Sequence, residues 1–331
     1  MAKRVTITMV AQHANVSPQT VSNVLNAPHL VRPATQQRVH EAISELGYRA
    51  NQAARQMRTK RSRLIAVRIE PTHDGINGSI LDRFLHGLTE AAAPALYRVL
   101  LYAAGGDTAE IATFDDLLGA YDLDGFVLTS THHGDPRTSW LAERGVPFVT
   151  FGRPWGALDS HPWVDVDGAA GTAAATRHLI RAGHRRIGFL GWPAGSGVGD
   201  DRRQGWADAL AEAGLSASEL TTFTTDRVDE GEAAARTLKD ETTAFVCASD
   251  SLAVGALRAI SGGRAGGRPV IGFDDTPVAQ AVGLSSVAQP LPEAAGHCVR
   301  LLAGLLDSPT APRTEDTQVL LTPSLVLRHS A

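Results

Sequence analysis

Apolar residues recur at helical spacing in three places near the start of the chain, and beyond residue 63 they collect instead into short continuous runs. The first helical segment spans about Thr8 to His13. The second is VSPQTVSNVLN, residues 16–26, with Ser17 placed to cap it, Pro18 at its first position, and Val21, Val24 and Leu25 on one stripe. The third, RPATQQRVHEAISELGY, starts near Pro33 and stops at Gly47, with Val39, Ala42, Ile43 and Leu46 facing one way. Ala14-Asn15-Val16 joins the first two tightly, which predicts a helix-turn-helix, and Val10, Val21, Leu25, Val39, Ile43 and Leu46 are the expected core of the three helices.

From Leu64 onward the runs LIAVRI, YRVLLYAA, GFVLTST, VPFVTFG, RRIGFLG, AFVCASD and PVIGF alternate with amphipathic stretches such as 79–93 and 201–213. Short apolar runs bounded by Gly, Pro and Asp and separated by helical segments predict parallel strands with crossover helices. The expected fold is therefore α/β with an all-α N-terminal head, and two successive sets of β-α units suit two lobes facing a cleft. Between head and body, NQAARQMRTKRSR (51–63) contains helix formers but almost nothing to pack, so alone it is too short to be a stable helix. The expected division is 1–50 for the head, 51–63 for a hinge, and 64–331 for the body.

Charge sharpens this picture. Residues 1–63 carry ten Lys and Arg against Glu41 and Glu45, a net of +8, within a chain whose total is −4. A basic head on an acidic body is the asymmetry expected when only the head meets a polyanion. The outer face of the second helix agrees. It presents Pro18, Gln19, Thr20, Ser22, Asn23 and Asn26, where a solvated helix favours Glu, Lys and Arg. Asn and Gln can hold adenine by two hydrogen bonds, and Ser and Thr suit phosphate oxygens.

The rest of the composition excludes more than it selects. Cys247 and Cys298 are the only cysteines, which makes neither a disulfide framework nor a metal cluster. No apolar run approaches a membrane span, and MAKRVTITMV lacks the apolar core of an export signal, so the expected location is the cytoplasm. No nucleophile elbow or zinc motif points to an enzyme, and no cofactor is expected. GSGVGDD lacks both G-x-G-x-x-G and a Lys-Ser/Thr ending and reads as a cleft loop. His132, His133 and Asp135 read as a polar loop, because two adjacent histidines do not readily point at one ion. Trp155 and Trp206 suit either core or cleft.

The chain resembles the LacI/GalR family of transcriptional repressors. VTITMVAQHANVSPQTVSNVLN looks like the family's DNA-binding signature and GYRANQAARQMR like its hinge, while GHRRIGFLG, ASDSLAVGALRAI, IGFDD and SSVAQP look like body motifs in the family's order. The resemblance implies a two-lobed body of parallel sheets like a periplasmic sugar-binding protein, a homodimer, and a palindromic DNA operator released by a small sugar. It places base contacts on Pro18, Gln19 and Asn23, and backbone contacts on Thr6, Ser17, Thr20, Ser22 and Asn26. Asn51, Ala54 and Met57 fall on the hinge, with Met57 as a minor-groove wedge. Pro18 departs from the pattern, since it offers only apolar contact, and Ala50 replaces a frequent proline. In the body the residues that follow the strands, Thr129, His132, Asp135, Arg153, Trp192, Arg202, Ser249, Asp250 and Asp274, are the expected effector contacts, with Arg202 as the effector-binding arginine. The THHGD and WPAGSGVGDD stretches resemble the cello-oligosaccharide-responsive subgroup.

Overall fold

The computed structural model describes residues 5–48, 61–69, 76, 78–156, 161–260, 267–307 and 317–331. It divides into two compact units, residues 1–62 and 63–331. Asn51, Ala54 and Met57 lie outside the described residues.

The head is built from helices α1 (Ile7–His13), α2 (Pro18–Asn26) and α3 (Pro33–Leu46), with a 3-10 turn at Pro28–Leu30. Each start has a local cause. Thr6 caps α1 by accepting from the Met9 amide at 3.4 Å, and Ser17 caps α2 by accepting from the Thr20 amide at 3.1 Å. Asn15, at φ +52°, makes the sharp turn between them, a conformation asparagine tolerates better than most residues. Gly47, at φ +61°, ends α3 where a Cβ would be strained. Val10, Val21 and Val39 are fully buried as expected. Leu25, Ile43 and Leu46 sit at the rim, and the small residues Ala11, Ala14 and Ala42 share the centre with Val24. Short helices approach closely only where side chains are small.

Among the described residues, the body holds two six-stranded sheets. The first contains β1 (Leu64–Ile69), β2 (Arg98–Ala103), β3 (Gly125–Leu128), β4 (Phe148–Phe151), β5 (Trp163–Val166) and β11 (Gln318–Leu321), in the order β11-β5-β4-β3-β1-β2. The second contains β6 (Ile187–Gly191), β7 (Thr221–Phe223), β8 (Ala244–Cys247), β9 (Val270–Phe273), β10 (Ser285–Ala288) and β12 (Ser324–Val326), in the order β12-β10-β9-β8-β6-β7. The order 2-1-3-4-5 thus recurs as 7-6-8-9-10, so the two lobes are built alike. Every pairing is parallel except β10 with β12.

Among the described residues, four helices belong to the first lobe: α4 (Gly78–Ala92), α5 (Asp107–Tyr121), α6 (Pro136–Glu143) and α12 (Leu291–Asp307). Helices α4 and α12 cover one face of its sheet over Ile65, Phe84, Val149 and Leu302, while Phe114, Phe126 and Leu141 fill the other. The second lobe carries α7 (Gly168–Arg181), α8 (Gly197–Glu212), α9 (Val228–Leu238), α10 (Asp250–Ile260) and α11 (Pro277–Val282) around Phe189, Trp206, Phe245, Leu252 and Phe273. Trp206 is a core residue, with its indole N–H donating to the Ile187 carbonyl at 3.2 Å.

The chain passes between lobes three times: after β5, after β10 and after β11. Strand ends from both sheets therefore meet across one cleft. No helix among the described residues is long and apolar enough to cross a membrane.

Candidate functional site

On the head, α2 turns its polar side outward. Pro18 and Gln19 are exposed and Asn23 is half-buried. One helical turn apart, Gln19 and Asn23 share a face, and Gln19 Nε2 donates to Asn23 Oδ1 at 3.0 Å. The two amides thus behave as one hydrogen-bonding unit. Ser17 and Thr20 join hydroxyls at 2.9 Å at the start of the same helix. Thr6 and Ser17 have structural duties as caps in addition to any contact they make, which sequence spacing alone showed only for Ser17. Ser22 lies half-buried on α2.

In the body, the cleft encloses about 730 Å³, within the range of roughly 300–1,000 Å³ typical of small-molecule sites. Its first-lobe wall comes from Thr129 to His132 after β3, Gly152 and Trp155 after β4, and Asp165 in β5; its second-lobe wall comes from Trp192 after β6, the first two turns of α8 with Asp201 and Arg202, and Asp274 after β9. Phe84 and Phe151, stacked with centroids 4.4 Å apart, form an apolar floor.

Arg202 is the best-held charge there. It is 5% exposed, with Nη1 donating to the Ala248 carbonyl at 2.5 Å and Nη2 lying 3.4 Å from Asp274 Oδ1. Its guanidinium lies 3.7 Å from the centre of the Phe273 ring and 5.3 Å from that of Trp192. Asp274 also accepts from Gln289 Nε2 at 2.6 Å. Burial raises the Asp274 pKa, against the opposing pull of Arg202. The backbone there is strained: Asp274 and Asp275 have φ of +105° and +47°, a cost that persists only where surrounding structure holds it.

Four polar atoms buried in residues lining the cavity have no protein partner: Thr129 Oγ1, Trp155 Nε1, Trp192 Nε1 and Arg202 Nε. Buried donors without partners are costly, so four of them on residues that line one cavity make it a candidate site for a polar ligand.

Thr129, His132, Trp192, Arg202 and Asp274 therefore line the cleft. The other four expected contacts do not. Asp135 caps α6 and grips the Arg137 guanidinium at 2.9 and 2.6 Å. Arg153 spans Asp165 at 2.6 Å and Asp201 at 3.3 Å, behind Trp155. Ser249 is bonded to Asp226 and accepts the Leu252 amide. Asp250 accepts from the Thr276 amide, the Thr276 hydroxyl and the Ser286 hydroxyl, at 2.7, 2.8 and 2.6 Å. The reason is similar in all four: position after a strand brings a residue to the cleft end of the sheet, but neighbouring polar groups, a helix start, an arginine or a carboxylate, claim the side chain. Asp107, His132 and Asp135 offer ligand atoms within 4.8 Å of one another, yet Arg137 already supplies the cation, 3.7 Å from Asp107. His132 sits between the His133 carbonyl and Asp107; burial opposes its charge, but these acceptors and Asp135 outweigh burial and raise its pKa.

Asp165, Asp226 and Gln289 are cleft residues that sequence reasoning did not select, and Trp155, left open between core and cleft, lines the cleft as well. Gln289 lay within the SSVAQP motif, and Trp155 carried a signal as an aromatic after a strand. Asp165 and Asp226 followed or lay in strands too short to recognise.

A helix-turn-helix with an amide-lined outer helix, on the same chain as a two-lobed body with a polar cleft, defines a DNA-binding regulator with a small-molecule site. Residues 6–51 match the lacI family of bacterial regulatory proteins, and residues 176–331 match the periplasmic binding protein-like domain. The HTH-type transcriptional regulator CelR of Thermobifida fusca is 34% identical over 99% of this chain and 98% of its own. Among solved structures, a CelR–cellobiose complex superposes with a TM-score of 0.73 at 31% identity, covering 99% of this chain and 100% of the other. The Lac repressor dimer bound to operator and the anti-inducer ONPF gives 0.81 at 25% identity, covering 99% of each. The chain belongs to the LacI family and is a DNA-binding transcriptional regulator.

Proposed function

We propose that the chain is a homodimeric repressor of carbohydrate-utilisation genes that holds a palindromic operator through residues 1–63 and releases it when a disaccharide or short oligosaccharide such as cellobiose fills the cleft. The observation that carries the sugar reading is the set of four unpartnered polar atoms on Thr129, Trp155, Trp192 and Arg202, two of them on indole rings. A sugar has an apolar ring face for aromatic plates and hydroxyls for fixed donors. The similarity to CelR, which is known with cellobiose, favours the same ligand class here.

At the operator, Gln19 and Asn23 read base edges, Pro18 offers apolar contact, and Thr6, Ser17, Thr20, Ser22 and Asn26 hold the backbone. Asn51, Ala54 and Met57 enter the minor groove, Met57 as the wedge. Closing the lobes on a sugar moves the start of the body near Leu64 in both subunits and separates the hinges, which are too short to stay helical unsupported. The protein works in the cytoplasm and is not an enzyme: of the cleft carboxylates, Asp165, Asp201 and Asp274 are held in ion pairs with Arg153 or Arg202 and Asp226 is bonded to Ser249, which suits binding over proton transfer. The test is operator selection followed by calorimetric titration of the full chain with a sugar panel. Binding of cellobiose with release of a palindromic site supports the reading; failure to bind any saccharide rejects it.

A further inference from the structure

Trp155 leaves the first lobe and lies against the second. Its indole rests on the opening turn of α8 so closely that a Cβ added at Gly197 would stand 2.3 Å from Trp155 Cδ2. No side chain other than hydrogen fits that position with the lobes in this arrangement. The Arg153 guanidinium also packs on the indole, 4.8 Å from the ring centre, held by Asp165 of the first lobe and Asp201 of the second. The ring is thus packed against a cation and a bare stretch of backbone, while Trp155 lines the cavity and its Nε1 is buried without a protein partner. A fixed ring with an unspent donor is the equipment of a recognition plate.

Its place in the cleft says which part of the ligand it meets. Arg202, Asp274 and Thr129 are each 5% exposed, whereas Trp155 is half-buried and adjoins exposed Gly156. A first sugar ring held by the buried group would leave the more exposed Trp155 for a second ring. We propose that Trp155 is the residue that selects a disaccharide or longer chain over a monosaccharide, and that Gly197 and Arg153 are the positioning residues that hold its ring across the cleft. The glycine-rich GSGVGDD stretch, expected as a cleft loop, instead opens helix α8 from Gly197 and thereby acquires a role that needs no phosphate: Gly197 makes room for Trp155, and a Cβ added at Gly199 would stand 3.1 Å from Trp192 Cε3.

The inference rests on the saccharide reading above and deepens it. The test is isothermal titration of the full-length protein with glucose, cellobiose and cellotriose, using wild type, Trp155→Ala, Gly197→Ala and the double variant, with thermal melts alongside. Trp155→Ala and Gly197→Ala should each weaken cellobiose about tenfold, the equivalent of one lost ring contact, while leaving glucose nearly unchanged. On the Trp155→Ala background, Gly197→Ala should add nothing, because the ring it obstructs is gone. An equal loss from Gly197→Ala in both backgrounds, or no loss in the wild-type background, overturns the assignment. Wild type that binds none of the three sugars overturns the saccharide reading itself and this assignment with it. If Gly197→Ala does not fold, Trp155→Phe decides: a several-fold loss confined to cellobiose and cellotriose supports the plate and its Nε1 donor, and unchanged affinity rejects them.

Discussion

Replacing Arg202 with methionine keeps an unbranched apolar stem and removes the guanidinium. Two consequences follow from its surroundings. Arg202 Nε is an unpartnered buried donor in the cleft, and a hydrogen bond from a charged donor is worth about 1.5–3 kcal/mol, so cellobiose affinity should fall roughly 10- to 150-fold. Asp274 at the same time loses its cation, 3.4 Å away, and retains Gln289 at 2.6 Å. Leaving one partner of a buried pair costs on the order of 3 kcal/mol unless the carboxylate protonates. Burial already raises the Asp274 pKa while Arg202 opposes it, so Arg202→Met raises it further. A carboxyl whose folded pKa lies above its unfolded value favours the folded state at low pH and loses that contribution as pH rises through the folded pKa. The melting-temperature deficit of Arg202→Met should therefore grow as pH rises from the ordinary carboxylate range. Calorimetric titration with cellobiose and melts across a pH series measure both effects. Unchanged affinity, or a deficit that ignores pH, would refute the reasoning.

In operator selections, Gln19→Ala and Asn23→Ala should each cost about 1–3 kcal/mol at particular base pairs, whereas Ser17→Ala should weaken all sequences alike and also lower head stability by about 1 kcal/mol through the lost cap; base preference unchanged in both amide variants contradicts the assignment of α2. Asp250 is buried beside Asp274, and its pKa is pushed up to about 7 by burial first and that neighbour second. Folding stability should therefore fall as pH rises from the ordinary carboxylate range towards 7, and Asp250→Asn should flatten that slope in denaturant titrations; an unaltered slope would show that another group sets it.

The head was the most legible part of the chain. Its helices are announced by local signals, Ser17 and Pro18 at one end of α2 and Gly47 after α3, and the structure places α2 at Pro18–Asn26 and α3 at Pro33–Leu46. Strands β1 to β4, β6, β8 and β9 were legible too, because they are continuous apolar runs. Strands β5, β7, β10, β11 and β12 were not: they are three or four residues long and carry polar or half-buried positions, so neither a run nor an alternation stands out. Cleft residues divided along similar lines. Arg202 and Asp274 could be placed from motif position, while Asp135, Ser249 and Asp250 could not be told from contacts, since their side chains turn to helix starts and to Arg137 only in three dimensions. Trp155 needed Gly197 from the other lobe, 42 positions along the chain, before its role could be seen.

The central claim is that the cleft and the DNA-binding head are linked through a sugar. It is tested most directly by fluorescence-anisotropy titration of the full-length protein against its selected palindromic operator, with and without saturating cellobiose. Coupling of about 1–3 kcal/mol predicts that cellobiose weakens operator binding roughly 5- to 150-fold. Cellobiose that binds the protein yet leaves operator affinity unchanged, or tightens it, contradicts the account.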